Sequence, residues 1–239
     1  MGHDLTVTGW FRAENLQGGP VDGKICFGKA MPPTTCLTIF GSIAFNSINR
    51  ALQKSKPRLA PKERGYLTVQ TAADVVKGDE WHHFAAIVSA SRNHMQLYIN
   101  GLLQASSGSA FDSTGMRDTY GPLQLGSVAR RDYFGGRLDE VQLWKRALSR
   151  AEAEQNMKQT LTGIESGLVA YYDFEELDAY CMASDRSGNG HRPYLRNGAR
   201  IADEEMMVPL SAKSGYGADG KSQHQPPGRN WNPDSYLVS

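Results

Sequence analysis

Asp139 carries the strongest chemical implication in this chain. It lies in Arg137-Leu138-Asp139-Glu140-Val141-Gln142-Leu143-Trp144, an alternating run of strand-forming residues. Strict alternation puts Asp139 on the side of Val141 and Leu143, which should face a core. A carboxylate there must be paired, hydrogen-bonded or bound to a cation. Asp139 and Glu140 do not read as a catalytic pair, because neighbours on a strand point to opposite faces. Glu175-Glu176 has the same defect. A retaining glycosidase needs two carboxyl groups ~5 Å apart, and no strand here alternates carboxylates on one face. No Gly-x-Ser-x-Gly elbow, phosphate loop or zinc-spaced Cys/His set occurs. No enzymatic activity is expected.

His82-His83 invites a metal reading, but opposite-facing neighbours cannot chelate one ion. One is expected half-buried and hydrogen-bonded, the other exposed. The aromatic pool of Trp10, Tyr98, Tyr120, Tyr133, Trp144, Tyr171 and Tyr172 could stack on sugar rings. Most of it should be core. Tyr120, Arg130, Arg131, Asp132 and Tyr133 are the expected ligand-binding residues, since they fall between strands, where sandwich domains carry recognition. The basic stretch 49–64, with Pro57 and Pro61, reads as a solvated insertion, with anion binding as the alternative.

Charge is balanced, with 26 Lys and Arg against 25 Asp and Glu. That balance gives no field favouring nucleic acid. No apolar run approaches the ~20 residues of a membrane-spanning helix. Met1-Gly2-His3-Asp4 leads directly into the first strand without a signal-peptide pattern. A mature form or excised domain, another export route and a cytosolic protein all fit that start. Of the three cysteines, Cys26 and Cys36 flank Met31-Pro32-Pro33-Thr34 in an expected hairpin. A cross-strand disulfide, which suits a secreted protein, and two free thiols are both open. Cys181 is left over and expected free.

The 25 glycines and 11 prolines suit many strands joined by tight turns. Residues 5–12 alternate Leu5, Val7, Gly9 and Phe11 against Thr6, Thr8, Trp10 and Arg12. Strands are also expected at 24–29, 36–41, 43–48, 65–70, 81–89, 95–100, 102–106, 123–126 and 137–144. Asn100-Gly101 is a hairpin-turn dipeptide. Ser149-Arg150-Ala151-Glu152 has capping-box spacing and should open a short helix over about 150–160, packed on the sandwich edge.

Trp81-His82-His83-Phe84-Ala85-Ala86-Ile87-Val88, then Met95 to Gly101, then Phe134-Gly135-Gly136-Arg137 to Trp144 and Arg146-Ala147-Leu148-Ser149, occur in this order. Together they resemble the laminin-G-like, concanavalin A-like jelly-roll family of pentraxin, lectin and glucanase sandwiches. The resemblance implies an all-β fold: a two-sheet antiparallel jelly-roll sandwich with one short helix after the final standard strand. It covers roughly residues 5–145. Residues 167–175 with Asp185-Arg186-Ser187-Gly188-Asn189-Gly190 resemble the opening of such a domain, placed after its usual end.

The expected organisation is one sandwich over 1–239, circularly permuted, with 165–239 completing the fold. The alternatives are a 1–162 domain followed by a partial second domain or extension at 163–239, and a C-terminal strand that pairs with a neighbouring subunit. Relatives of this type often hold a structural Ca²⁺ near the strand bearing Asp139. The resemblance therefore implies Asp139 as a calcium ligand, with Asp173, Asp185 and Asn189 as further oxygen donors. The opposing reading pairs Asp139 with an Arg or backbone amides and makes 185–190 an Asx-type turn. The implied function is a non-catalytic recognition module for a glycan or protein ligand, in carbohydrate binding or adhesion, outside the cell or at its surface. A structural or assembly subunit, including a homo-oligomer, is the alternative.

Overall fold

The computed structural model describes residues 4–14, 23–25, 35–40, 42–48, 66–72, 75–107, 124–126, 134–202 and 237–238. Its strands are β1 (Leu5–Ala13), β2 (Gly23–Ile25), β3 (Thr35–Phe40), β4 (Ser42–Ile48), β5 (Tyr66–Gln70), β6 (Trp81–Ser89), β7 (His94–Ile99), β8 (Leu102–Ser106), β9 (Gly136–Trp144), β10 (Leu168–Tyr172), β11 (Arg200–Ile201) and β12 (Leu237–Val238). The helix α1 (Arg150–Asn156) follows β9. One antiparallel sheet runs β11-β12-β9-β1-β6-β7-β8, with β10 also paired to β9, and the other runs β2-β3-β4-β5.

Alternation in β1 and β6 sorts the larger sheet into two faces. Val7 and Phe11 of β1, Phe84, Ala86 and Val88 of β6, and Leu97 and Ile99 of β7 fill the main core. Val69 of β5 joins the same cluster from the other sheet, so one apolar core lies between the two. The opposite face of the larger sheet is also covered. There Ala85, Ile87, Tyr98, Trp144, Leu168 and Tyr171 pack with Leu148 and with Ala153 of α1. The helix therefore lies across the outer sheet face rather than on the edge of the sandwich. Its start follows from the sequence: the Ser149 side chain accepts from the Glu152 amide, and Glu152 accepts from the Ser149 amide at 2.7 Å.

Asn100 and Gly101 both hold positive φ, at 50° and 75°, and turn β7 into β8 as the dipeptide predicts. Residues 124–126 form a bend, not the expected strand; the Gly126 carbonyl accepts from the Phe134 amide at 2.7 Å. The C-terminal segment returns to its own sheet. In β10, Tyr172 pairs with Val141 and Tyr171 with Gln142. In β12, Leu237 and Val238 pair with Leu138 and Arg137. One edge of β9 thus receives β10 along one half and β12 along the other, whereas β1 occupies the opposite edge. The C-terminal strand expected to lead into β1 pairs with β9.

Candidate functional site

The expected inward side of Asp139 is overturned by a β-bulge. Thr8 pairs with Gln142, but Trp10 pairs with Asp139, so Gly9 alone faces Glu140 and Val141. Glu140 absorbs the extra residue with a left-handed φ of 51°. Leu138 and Val141, three apart, consequently both point into the main core. Residues paired across an antiparallel ladder share a face, so Asp139 goes with Trp10 and Gln142 with Thr8. Thr8 Oγ1 donates to Gln142 Oε1 at 2.9 Å, and Asn156 of α1 donates to the same oxygen at 3.3 Å. Simple alternation could not show this shift; an acidic pair opposite a lone glycine is its only trace in the sequence.

Asp139 and Glu140 are both sealed, at 2% and 5% exposure. The Asp139 carboxylate accepts the Glu140 amide at 2.8 Å, pinning the bulge. The phenol of Tyr171 donates to Glu140 Oε2 at 2.6 Å. Burial pushes the Glu140 carboxyl up to about 8; the Tyr171 hydroxyl pulls down, while Asp173 and Glu175 push further up. Burial therefore favours the protonated form of Glu140. Burial, then the Glu140 charge, drives the Tyr171 phenol far above its ordinary range. A protonated acid beside a second carboxyl group is the arrangement glycoside hydrolysis uses. Here no glycosidic oxygen can reach either group.

The other expected calcium ligands sit beyond β10. Asp173 is ion-paired with Arg186 at 2.6 Å. Asp185 Oδ1 accepts from the Tyr171 amide at 3.1 Å and from the Ser187 amide and hydroxyl, and Oδ2 from the His191 amide at 2.8 Å. Burial pushes this carboxyl up, but the Ser187 hydroxyl and the three amides hold it below its ordinary value. The Asn189 amide nitrogen donates to the carbonyls of Leu168 and Val169. This turn docks residues 185–191 onto β10. Among the described residues no three His, Cys, Asp or Glu side chains group as metal ligands. Asp173 and Asp185 are engaged by protein donors.

Both histidines are buried, at 4% and 2%, where one was expected exposed. They do face opposite ways: His82 packs on Phe11 at 5.5 Å and His83 on Trp10 at 5.4 Å. The second layer under α1 leaves no solvent for His83. Of the aromatic pool, Trp10, Tyr98, Trp144, Tyr171 and Tyr172 are buried. Tyr120, Arg130, Arg131, Asp132 and Tyr133 lie outside the described residues, as does Cys26 of the expected Cys26–Cys36 pairing. Cys181 is free and exposed.

An open cleft that the sequence did not signal lies where the β6–β7 turn meets the β9–α1 junction. Its volume is about 320 Å³. Ile87, Ala147 and Leu148 supply apolar surface; Asp4, Ser91, Arg92, His94, Gln96 and Glu152 supply the polar wall. The topology explains the clustering: Ile87 pairs with Gln96 and Ser89 with His94, which puts four outer-face positions side by side. Asp4 Oδ1 accepts from the Ala90 amide at 2.6 Å, and Glu152 is held by Arg146 at 2.6 Å. These two acids are fixed by the protein, and Arg92, His94 and Gln96 stand on the same wall. No described helix is long and apolar enough to cross a membrane.

Comparison with known proteins agrees with this architecture. No curated protein matches the chain. A crystal structure of a candidate carbohydrate binding protein from Bacteroides ovatus ATCC 8483 superposes with a TM-score of 0.59 at 16% identity. It covers 78% of this chain and 50% of the other, so the chain spans half the length of that protein. Domain 4 of an extracellular arabinanase from Geobacillus stearothermophilus, in complex with arabinotriose, aligns at TM-score 0.46 and 18% identity over 65% of this chain and 67% of its own. A Ruminococcus gnavus sialidase carbohydrate-binding module bound to α2,3-sialyllactose aligns at TM-score 0.44 and 15% identity, over 64% and 82%. At these identities the likeness is one of fold. A family model, Laminin_G_3, matches residues 2–154, more than half of the sequence. The chain belongs to the concanavalin A-like lectin/glucanases superfamily.

Proposed function

We propose that this chain is a non-catalytic carbohydrate-recognition module of an extracellular or cell-surface protein. The observation that carries the reading is the cleft between the β6–β7 turn and α1. Its volume of about 320 Å³ is at the lower end of the roughly 300–1,000 Å³ of small-ligand sites, which suits one or two sugar rings. Its wall mixes fixed carboxylates with the donors of Arg92, His94 and Gln96, the pairing that vicinal hydroxyls require. Sealing of Asp139 and Glu140 supports recognition without hydrolysis. The fold likeness to a candidate carbohydrate binding protein supports the same class of ligand.

A glycan array followed by calorimetry tests it. The wild type should bind at least one oligosaccharide, and Arg92→Ala or His94→Ala should weaken it about tenfold or more, the loss of one or two charge-assisted hydrogen bonds. Absence of binding to any glycan would end the proposal. An assembly subunit is the second reading, favoured by the outermost described strand of the larger sheet, β8, which shows Leu102 and Leu103 at 61% and 47% exposure. Light scattering distinguishes it: a strictly monomeric species argues against it.

A further inference from the structure

Among the described residues the other aromatic side chains are buried, but Tyr180 and Tyr194 stand out at 78% and 60% exposure. They lie fourteen residues apart in sequence (180 to 194), on two segments that pair with each other. Tyr194 forms a β-bridge with Met182, and the Leu195 amide donates to the Cys181 carbonyl at 3.4 Å. The backbone that carries one ring is thereby tied to the backbone that carries the other.

Hydrogen bonds hold the backbone on which the patch stands. Asp178 accepts from the Tyr180 and Met182 amides at 2.8 and 3.0 Å and from Arg192 at 2.7 Å. Beneath it, Ala183 is fully buried in the main core, and the Tyr172 phenol donates to the His191 carbonyl at 2.6 Å. Preordered aromatic surface binds with little further loss of conformational freedom. Its rim is polar: the Arg196 guanidinium lies 5.8 Å from the Tyr194 ring centre, and the Asp178–Arg192 pair stands beside Tyr180.

We infer that Tyr180 and Tyr194 form a stacking platform for sugar rings, distinct from the cleft. A pyranose or furanose presents an apolar C–H face to an aromatic ring and hydroxyls at its edge to charged neighbours, which is the complement of this surface. An apolar protein partner fits it less well, because the charged Arg192, Arg196 and Asp178 lie beside the rings. The platform lies beyond the residues 2–154 matched by the family model, so family membership does not supply it. The inference rests on the carbohydrate reading above and extends it to longer chains, since two separate contacts on one module favour a polysaccharide over a short oligosaccharide.

The test is affinity electrophoresis and calorimetry of the full chain against arabinan, xyloglucan, laminarin and galactomannan. The variants are the Tyr180→Ala/Tyr194→Ala pair, the Tyr→Phe pair, and Arg92→Ala. The alanine pair should lose at least tenfold in affinity for the polysaccharide that retards the wild type, with an unchanged Tm, whereas the phenylalanine pair keeps most of it. Arg92→Ala should weaken short oligosaccharides and polysaccharide alike. If the alanine pair binds polysaccharide as the wild type does, the platform is refuted and the cleft reading stands. If the wild type binds no carbohydrate, both fall.

Discussion

The Tyr171 phenol and the Glu140 carboxyl meet at 2.6 Å across the β9–β10 pairing. Tyr171 belongs to a strand beyond the part of the chain matched by the family model, and Glu140 sits inside it. The bond therefore couples the C-terminal extension to the bulge that sets the faces of β9. Removing the hydroxyl with Tyr171→Phe leaves Glu140 Oε2 without that donor in a sealed site. The expected cost is about 1–3 kcal/mol. A double-mutant cycle with Glu140→Gln in urea measures the pairwise part; a coupling under about 0.5 kcal/mol would mean the bond adds nothing of its own.

Glu140 also imposes a pH dependence with a definite sign. Its unfolded value is 4.5 and its folded value about 8. Between them the folded chain holds a proton that the unfolded chain has released. The contribution to stability is complete below pH 4.5, falls as pH rises toward 8, and levels off above. Urea midpoints measured from pH 5 to 9 should decline, and the decline should be shallower in Glu140→Gln. Parallel curves for the two proteins would show that another group governs the slope.

Much of this fold was legible because alternation in β1, β6 and β7 is a direct imprint of a sheet with distinct faces. The Asn100-Gly101 turn and the Ser149–Glu152 cap were legible for the same reason: local chemistry sets local geometry. The face of Asp139 was not, since a bulge depends on two strands in register and one of them, with Gly9, lies more than a hundred residues away. Burial of His83 was not, because the helix that covers its face enters only through tertiary packing. Nor was the cleft, whose walls come from Asp4, the β6–β7 turn and the start of α1. The resemblance identified the family; the partners of Asp173 and Asp185, Arg186 and the backbone amides, come only from the folded turn.

Gly9 is a packing requirement of the bulge. A Cβ at this position would stand 3.1 Å from Phe84 Cε1 and 3.2 Å from Val141 Cγ2. Gly9→Ala should cost about 1–3 kcal/mol through overpacking, while the folded fraction binds glycans as before. Gly163→Ala should be worse. Gly163 has φ +92° and its added Cβ would collide with the Arg186 carbonyl oxygen, so neither backbone nor side chain can relax cheaply. Chemical denaturation of the two variants ranks them; a smaller loss at Gly163 than at Gly9 would contradict the tight contact between the turns at 163 and 186.

EDTA should leave the unfolding midpoint unchanged. A cation at a hundred times its Kd stabilises the folded state by about 2.7 kcal/mol. In a chain of this size each kcal/mol moves Tm by roughly 2–4 °C, so a saturated structural site would shift it by about 5–11 °C, well above experimental scatter. Asp173 is already paired with Arg186, and Asp185 already accepts from the hydroxyl and amides that dock residues 185–191 on β10. Calorimetric scans with EDTA, then with Ca²⁺ restored, decide the matter. A drop of several degrees reversed by calcium would show a bound structural cation, and Asp139→Asn would then show whether the β9 carboxylate takes part.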